Sequence, residues 1–545
     1  MSSTPWNVYP RPMLRRGEWQ CLNGEWELSC GGESCPVTVP YPLESRLSGA
    51  KIRIETGKTY VYKRSFTPAF RTDGREVWLN FGAVMRKSRV FLNGELCAEH
   101  DNGYLPFSVN VTQHLCDGDN ELKVEVINDL DPRYPYGKQR VKRGGMWYTP
   151  CTGIWQTVWL EPRPREHITG ISTETDGSRV TVTVGGVKTG MISYEGGSFL
   201  FSGGRAELLV KSPELWSPEN PRLYDITVKA GEDEVKSYFA LRTVAVEEIN
   251  GKKRITLNGK PYFFHGLLDQ GYWADGLYTP EGPEAFQKDI LAIKSLGFNT
   301  LRKHIKIEPE LYYYACDKLG VCVFQDMVNS GRYSFIRDSV LPTAGLQKKS
   351  DRRLFRDKLM RENFLRAMDG TVRLLKAHPS IVLWTVFNEG WGQFEAAKAY
   401  DKLRELDKTR LIDSASGWYR CEKSDVESMH IYFKALSLGK EDRAQLLSEY
   451  GGWSYKLPEH SFNLKKTYGY KKYEDRPAFV RDLRELMMAE LVPLAREGLC
   501  GAVYTQVSDV EDETNGLFTF DREVLKVRPE ELSGVREALQ RAVSE

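Results

Sequence analysis

Two β-rich domains followed by a (β/α)8 barrel is the fold class that this sequence predicts. Three observations carry it. The N-terminal region alternates polar and apolar residues strictly, as half-buried strands do. A second group of short strands follows a Pro-rich boundary. From Ile255 onward, helical periodicity alternates with short apolar runs.

In the first region, Glu121-Leu122-Lys123-Val124-Glu125-Val126 alternates without exception, and Glu76–Phe81 and Ser88–Leu92 behave alike. Asn93-Gly94 between two such runs is a type I′ hairpin signal. The loop from Pro132 to Thr152 is rich in Gly, Pro, Tyr and Arg. It is long for a structureless connection, which points to a functional role. Its Gly137-Lys138-Gln139 segment is a candidate to reach a cleft in another domain.

Pro162-Arg163-Pro164-Arg165 marks the boundary, giving a first domain over 1–164 and a small β-sandwich over 165–250. Arg179–Val184 and Tyr224–Val228 are strands within it. Residues 251–545 form the barrel. Phe286, Ile290, Ile293 and Leu296 share a helix face, Gly297 stops the helix, and Phe298-Asn299-Thr300-Leu301 begins a strand. Leu311, Ala315 and Leu319, then Gly320 and Val321–Phe324, repeat the unit.

The polar residues at the predicted strand ends follow. They are His265 and Asp269, then Arg302 and His304, then Gln325 and Asp326. Asn388 and Glu389 end the fourth strand; Ser416 and Trp418 follow the fifth. His430 and Tyr432, Glu449, and Asp509 complete the ring. So many polar groups at one end of a barrel are costly unless a cleft uses them. Glu389 follows the buried run Ile381–Trp384, and Glu449 ends Leu446-Leu447-Ser448. Two carboxylates on two strand ends are what retaining glycoside hydrolysis needs: one protonates the leaving oxygen and the other attacks the anomeric carbon.

Composition excludes other classes. The 545 residues carry 76 basic and 74 acidic side chains, a net charge of +2, so nothing points to nucleic acid. No run approaches the about 18 apolar residues of a membrane span. Met1–Trp6 has no basic-then-apolar pattern, so no signal peptide is expected and a cytoplasmic location is predicted. Ten Cys without regular pairing read as reduced thiols, and the eight His show no zinc spacing. The expected partner is a glycoside or oligosaccharide, with no membrane, no metal and no cofactor, and at most a second copy of the chain.

The chain resembles glycoside hydrolase family 2, the family of β-galactosidases, β-glucuronidases and β-mannosidases. Trp19–Trp26, Gly103–Phe107 and Gly153–Leu160 resemble its sugar-binding jelly roll. Leu215-Trp216-Ser217-Pro218 with Pro221–Tyr224 resembles its immunoglobulin-like middle domain, and Leu257–Pro261 its entry to the barrel. The resemblance implies a retaining exo-β-glycosidase of the β-galactosidase kind. It implies Glu389 as acid/base, Glu449 as nucleophile, Asn388 bonded to the sugar 2-hydroxyl, and Tyr432 orienting Glu449. The nucleophile must be ionised, so donors such as Tyr432 and Arg302 are expected to hold Glu449 low. Arg302, His304, Asp326, Trp391, Trp418, His430 and Tyr504 complete the substrate-binding candidates.

Three departures matter. Tyr432 and Glu449 are only 17 residues apart, so the sixth αβ unit must be short. Tyr504 stands where many members place Trp. Glu513-Thr514-Asn515-Gly516 replaces the Asn-x-Lys carboxylate clamp of β-glucuronidases, which argues against glucuronides. Lys303, His304 and Lys306 keep another acidic sugar open. A mannosidase, arabinosidase or galacturonidase, or a carbohydrate-binding protein that has lost catalysis, are the alternatives.

Overall fold

Alternation does in three dimensions what it promises. On the strand Asn120–Ile127, Leu122, Val124 and Val126 are fully buried, while Glu121, Lys123 and Glu125 face outward. This strand pairs antiparallel with Thr59–Phe66 and Lys87–Leu92 inside a six-stranded sheet. A four-stranded sheet containing Glu76–Phe81 and Val158–Arg163 covers it. Leu22, Trp26, Leu79, Phe81 and Leu160 fill the layer between. Asn93 and Gly94 turn the hairpin with φ of 51° and 90°, the two positive values a type I′ turn requires. The structure is a computed structural model and describes every residue except 1–3, 342–345, 347–350, 418, 420 and 441.

Seven strands, from Gly170–Asp176 to Asp233–Phe239, make the immunoglobulin-like unit. Its sheet curls over its own core of Val180, Val182, Ile192, Phe201 and Val228. Gly197–Ser202 and Arg205–Leu209 pair at the single position Ser202↔Arg205, which is where the two layers part. A three-stranded element, Val244–Ile249, Lys252–Leu257 and Lys260–Pro261, then plugs the base of the barrel. Its Ile255 joins the barrel interior, and its buried Arg254 donates to the carbonyl of Ala495 at 2.6 Å.

The barrel strands are β1 (Phe264–Asp269), β2 (Thr300–Lys303), β3 (Cys322–Asp326), β4 (Ile381–Thr385), β5 (Leu411–Asp413), β6 (Val426–Ile431), β7 (Ala444–Tyr450) and β8 (Leu499–Tyr504). Every pairing among them is parallel, and β8 pairs with β1. The β5–β6 seam is bridged by Asp425, whose N–H donates to the Ile412 carbonyl at 2.9 Å while its carboxylate accepts from the Ile412 N–H at 2.7 Å. Helices α1 (Glu284–Ser295), α2 (Glu310–Leu319), α3 (Lys358–Leu375) and α4 (Ala396–Leu406) follow β1 to β4. Phe286, Ile290 and Ile293 are the buried face of α1, as the spacing predicts. Among the described residues no helix separates β5, β6 and β7, which is how Tyr432 and Glu449 come so close in sequence.

The two β domains grip the barrel at different places. On its flank, Trp216 is fully buried and donates from Nε1 to the Asp317 carbonyl at 2.8 Å. Arg242 donates to the carbonyls of Pro379 and Ile381 at 2.9 and 2.6 Å. At the C-terminal mouth, the loop from Pro132 to Thr152 lies across the strand ends. The Tyr136 N–H donates to the Asn329 carbonyl at 3.1 Å. Tyr148 Oη donates to Glu513 Oε2 at 2.5 Å, and the Thr149 N–H to Glu511 Oε1 at 2.8 Å. Among the described residues no helix is long and apolar enough to cross a membrane. All ten cysteines are free.

Candidate active site

The exit from β4 is bent by two residues of positive φ, Glu389 at 50° and Gly390 at 74°. The left-handed region costs a non-glycine residue about 1 kcal/mol or more, so the surroundings must hold it. They do. The Glu389 N–H donates to the Ser416 carbonyl, the Ser416 N–H to the Phe387 carbonyl, and the Trp391 N–H to the Asn388 carbonyl, each at 2.8 Å. The bend brings the Glu389 carboxyl to His430, with Oε1 2.8 Å from Nδ1.

Glu449 comes to the same point from β7. Arg302, on β2, is 1 % exposed and serves four acceptors on three other barrel units. It donates to Glu449 Oε1 at 3.0 Å, Asp326 Oδ1 at 3.0 Å, Asn388 Oδ1 at 2.8 Å and the Ser448 carbonyl at 3.0 Å. Tyr432 Oη donates to the other Glu449 oxygen. His430 Nε2 stands 3.6 Å from Glu449 Oε1, so this ring lies between the two acids. An oxygen of Glu389 is within 4.8 Å of an oxygen of Glu449.

Electrostatics keeps Glu449 ionised. Burial alone would push the Glu449 carboxyl up. His430 first, then Arg302, His304 and Lys138, outweigh it and hold the group well below the usual carboxylate range. Burial, followed by the charge of Lys138, pushes His304 down despite its 2.8 Å bond to Asp326. A carboxylate kept ionised beside a second acid in a cleft has the two properties a nucleophile and its proton donor need.

The structure therefore brings Asn388, Glu389, Arg302, His430, Tyr432 and Glu449 together. It gives other candidates different surroundings. Both Asp326 oxygens are taken, by Arg302 and His304, so this acid supports those two groups rather than facing the cleft. Trp391 is buried in the wall of the mouth, stacked on Trp147 at 5.5 Å. Tyr504 is a correction. Its neighbour Val503 points into the barrel, so the two-residue period turns Tyr504 outward, against Tyr450 at 5.5 Å. Trp418 lies outside the described residues. His265 sits one residue from the start of β1, packed on Phe298 at 4.2 Å, far from the strand ends. Lys303 pairs with Asp269 and Glu308, and Lys306 with Glu308, so neither is available to a ligand.

Sequence reasoning missed Tyr470, which stacks on Tyr432 at 4.0 Å, and Ser448, which accepts from Ser416 Oγ at 2.8 Å. Neither carries a sequence signal. Lys138 lies in the Gly137-Lys138-Gln139 segment expected to reach a cleft, with no role of its own assigned there. Its loop stood out by length, and its ammonium lies 5.9 Å from the Trp391 ring.

Glu389, His430 and Glu449 each offer a donor atom near the other two, an arrangement that could hold a cation. The donors are already committed. Glu449 is bonded by Arg302 and Tyr432, Glu389 by His430, and the Arg302 charge 3.0 Å from Glu449 opposes a second cation. The set does not fit a resident metal.

Family models match between residues 45 and 456. The family model described as glycosyl hydrolases family 2, TIM barrel domain, matches residues 247–456. The glycosyl hydrolase 2 galactose-binding domain-like model matches 45–154, and the glycosyl hydrolases family 2 model 167–242. A β-galactosidase of Aeromonas hydrophila is 26 % identical over 445 residues, covering 74 % of this chain and 41 % of that protein. A β-glucuronidase of Mus musculus is 26 % identical, covering 74 % and 67 %. The chain spans 35, 41 and 50 % of the length of three of the curated relatives it matches. Among solved structures, a β-D-glucuronidase of Dictyoglomus thermophilum superposes with a TM-score of 0.75 at 19 % identity, covering 98 % of both chains. A β-galacturonidase of Eisenbergiella tayi bound to galacturonate superposes at 0.70 with 18 % identity, covering 98 % of this chain and 99 % of that one.

Proposed function

This chain belongs to glycoside hydrolase family 2, and we propose that it is a retaining exo-β-glycosidase that removes terminal β-linked sugars. One observation carries the reading. Glu389 and Glu449 leave two different strands yet bring oxygens within 4.8 Å of each other. Retaining pairs stand about 5–5.5 Å apart between carboxyl groups, whereas inverting pairs need about 6.5–9.5 Å to admit a water.

In this mechanism Glu449 attacks the anomeric carbon as Glu389 gives its proton to the departing oxygen. The aglycone leaves as an alcohol and the sugar becomes an ester of Glu449. Glu389, now a carboxylate, takes a proton from water, whose oxygen displaces Glu449 and restores the original anomeric configuration. Arg302 and Tyr432 support the first step by keeping Glu449 ionised and fixed. Asn388, oriented by Arg302, is the group we assign to the sugar 2-hydroxyl. The family likeness favours a β-galactoside-type pyranoside, and the named relatives include galactosidases, glucuronidases and a galacturonidase.

The test is covalent capture. A 2-deoxy-2-fluoro glycoside should add one sugar mass, and peptide mapping should find it on Glu449. Addition elsewhere, or no addition with any of a panel of such reagents, would sink the proposal.

A further inference from the structure

Four lysines are buried in this protein: Lys138, Lys303, Lys306 and Lys526. Taking a lysine side chain out of water is costly unless a partner offsets the charge. Three of the four have that partner. Lys303 meets Asp269 at 2.6 Å and Glu308 at 2.8 Å. Lys306 meets Glu308 at 2.8 Å and the Gly271 carbonyl at 2.6 Å. Lys526 meets Asp509 at 2.6 Å.

Lys138 differs. Its residue is 7 % exposed, but its Nζ is not sealed from solvent, and among the described residues it forms no ion pair and no hydrogen bond. The nearest groups assigned to it are the rings of Tyr148 and Trp391, at 5.6 and 5.9 Å. It stands close enough to Glu449, Glu513 and His304 to shift all three. So the unpaired cation lies at the mouth, beside the acid pair. Two further polar groups on the same wall have no partner among the described residues: the Trp391 Nε1–H and both ends of the Asn329 side-chain amide. The backbone of Asn329 is bonded to Tyr136, two residues from Lys138, so the loop and the wall are in register.

We propose that Lys138 selects a terminal sugar bearing a carboxylate, a hexuronic acid, by meeting that carboxylate with its free ammonium inside the pocket. The inference rests on the glycosidase reading and narrows it to a substrate class. A neutral sugar would leave the ammonium with hydroxyl acceptors alone. A uronic acid supplies the missing counter-charge. Its value rises during the reaction: as Glu449 spends its negative charge on the new ester bond, Lys138 loses one of the anions whose charge it feels, and the sugar carboxylate takes over. The contribution therefore falls in the transition state and not only in binding. Lys138 comes from the first β domain, so it is a different solution from a clamp placed after the eighth strand, where this chain has Glu513-Thr514-Asn515-Gly516.

The experiment compares 4-nitrophenyl β-galacturonide and β-glucuronide with the matching galactoside and glucoside. The full chain, Lys138→Met and Lys138→Arg are used, and their melting temperatures check folding. We expect kcat/KM to favour a uronide over its neutral counterpart by about 100-fold, the size of a charge-assisted contact in a buried site. Lys138→Met should collapse that ratio, and Lys138→Arg should restore part of it. A wild-type preference for neutral sugars overturns the proposal. So does an equal loss on both classes in Lys138→Met with a shifted acid limb, which would make Lys138 only a charge that tunes Glu449. Calorimetry with free galacturonic and glucuronic acids against galactose and glucose reads the contact without turnover. Uronic acid binding that Lys138→Met abolishes supports it, and no preference over neutral sugars overturns it. Absence of turnover on every substrate counts against the glycosidase reading alone.

Discussion

Arg302 shows how a single side chain can define a site. Its guanidinium fixes Glu449, Asp326, Asn388 and the Ser448 carbonyl at once. Glu449, which it holds, and Glu389, beside the Asn388 that it also holds, take distinct parts in the proposed mechanism, and that yields a sharp prediction. Glu449→Gln should lower turnover by at least about 1,000-fold on every substrate, because no covalent intermediate forms. Glu389→Ala should be conditional: dinitrophenyl glycosides need little protonation, so the first step survives. Azide, which needs no base, should then rescue the second step and give the β-glycosyl azide. Azide rescue of Glu449→Ala with an inverted product, and none for Glu389→Ala, would leave the acid/base unassigned. Both acids stand out in the sequence because each follows an apolar run, and the structure brings the two side chains together. The misplacement of Tyr504 has an equally local cause. A strand end was recognised, but the two-residue period decides which of two neighbours faces inward, and Val503 does. The segment holding Lys138 stood out by the length of its loop, but nothing local says which of its side chains comes to rest beside the acids.

At the scale of elements, the exit from β4 is the most constrained turn of the site. A Cβ on Gly390 would lie 2.3 Å from the Tyr419 ring, at a φ of 74° that disfavours any side chain. Gly390→Ala should therefore cost about 1–3 kcal/mol of stability and displace Glu389. Activity should drop far more than covalent labelling of Glu449. A variant with wild-type kinetics and melting temperature would show that the turn is not under this constraint. The floor of β1 gives a pH prediction. Burial pushes His265 down to about 4 from its ordinary value of 6.5, and its Nε2 has no partner among the described residues. The unfolded chain thus binds more protons between those values. The stability that the neutral ring contributes is full above pH 6.5 and lost as pH falls towards 4, by up to about 3 kcal/mol. Urea midpoints at pH 7 and 4.5 should differ less in His265→Gln than in wild type; an unchanged difference would refute it. Helices and strands of the first four αβ units were readable from periodicity and stop signals. The helix-less stretch from β5 to β7 was readable only as a spacing that was too short.

Across the whole molecule, the fold class was clear from the succession of patterns, but the packing of one domain on another was not. Such contacts join residues hundreds of positions apart, as Trp216 joins Asp317 on the barrel flank. Trp216→Ala should cost about 3–5 kcal/mol and lower the melting temperature. The pH profile should stay in place, because Trp216 touches none of the acids. A moved profile would mean that the flank contact reaches the site. Prolonged chelation should leave turnover unchanged, since the acid pair is already occupied by protein donors; a reversible loss that magnesium restores would contradict that. The loop from Pro132 to Thr152 has one more consequence. A protease nick within it would spare all eight barrel strands and both acids, yet it would loosen the wall that Tyr148 and Thr149 anchor to Glu513 and Glu511. The molecule could go on reacting with small activated compounds while losing its discrimination among natural ones. Conversely, exchanging this one surface segment between relatives would be a route to new sugar preferences that leaves the chemistry inherited and untouched.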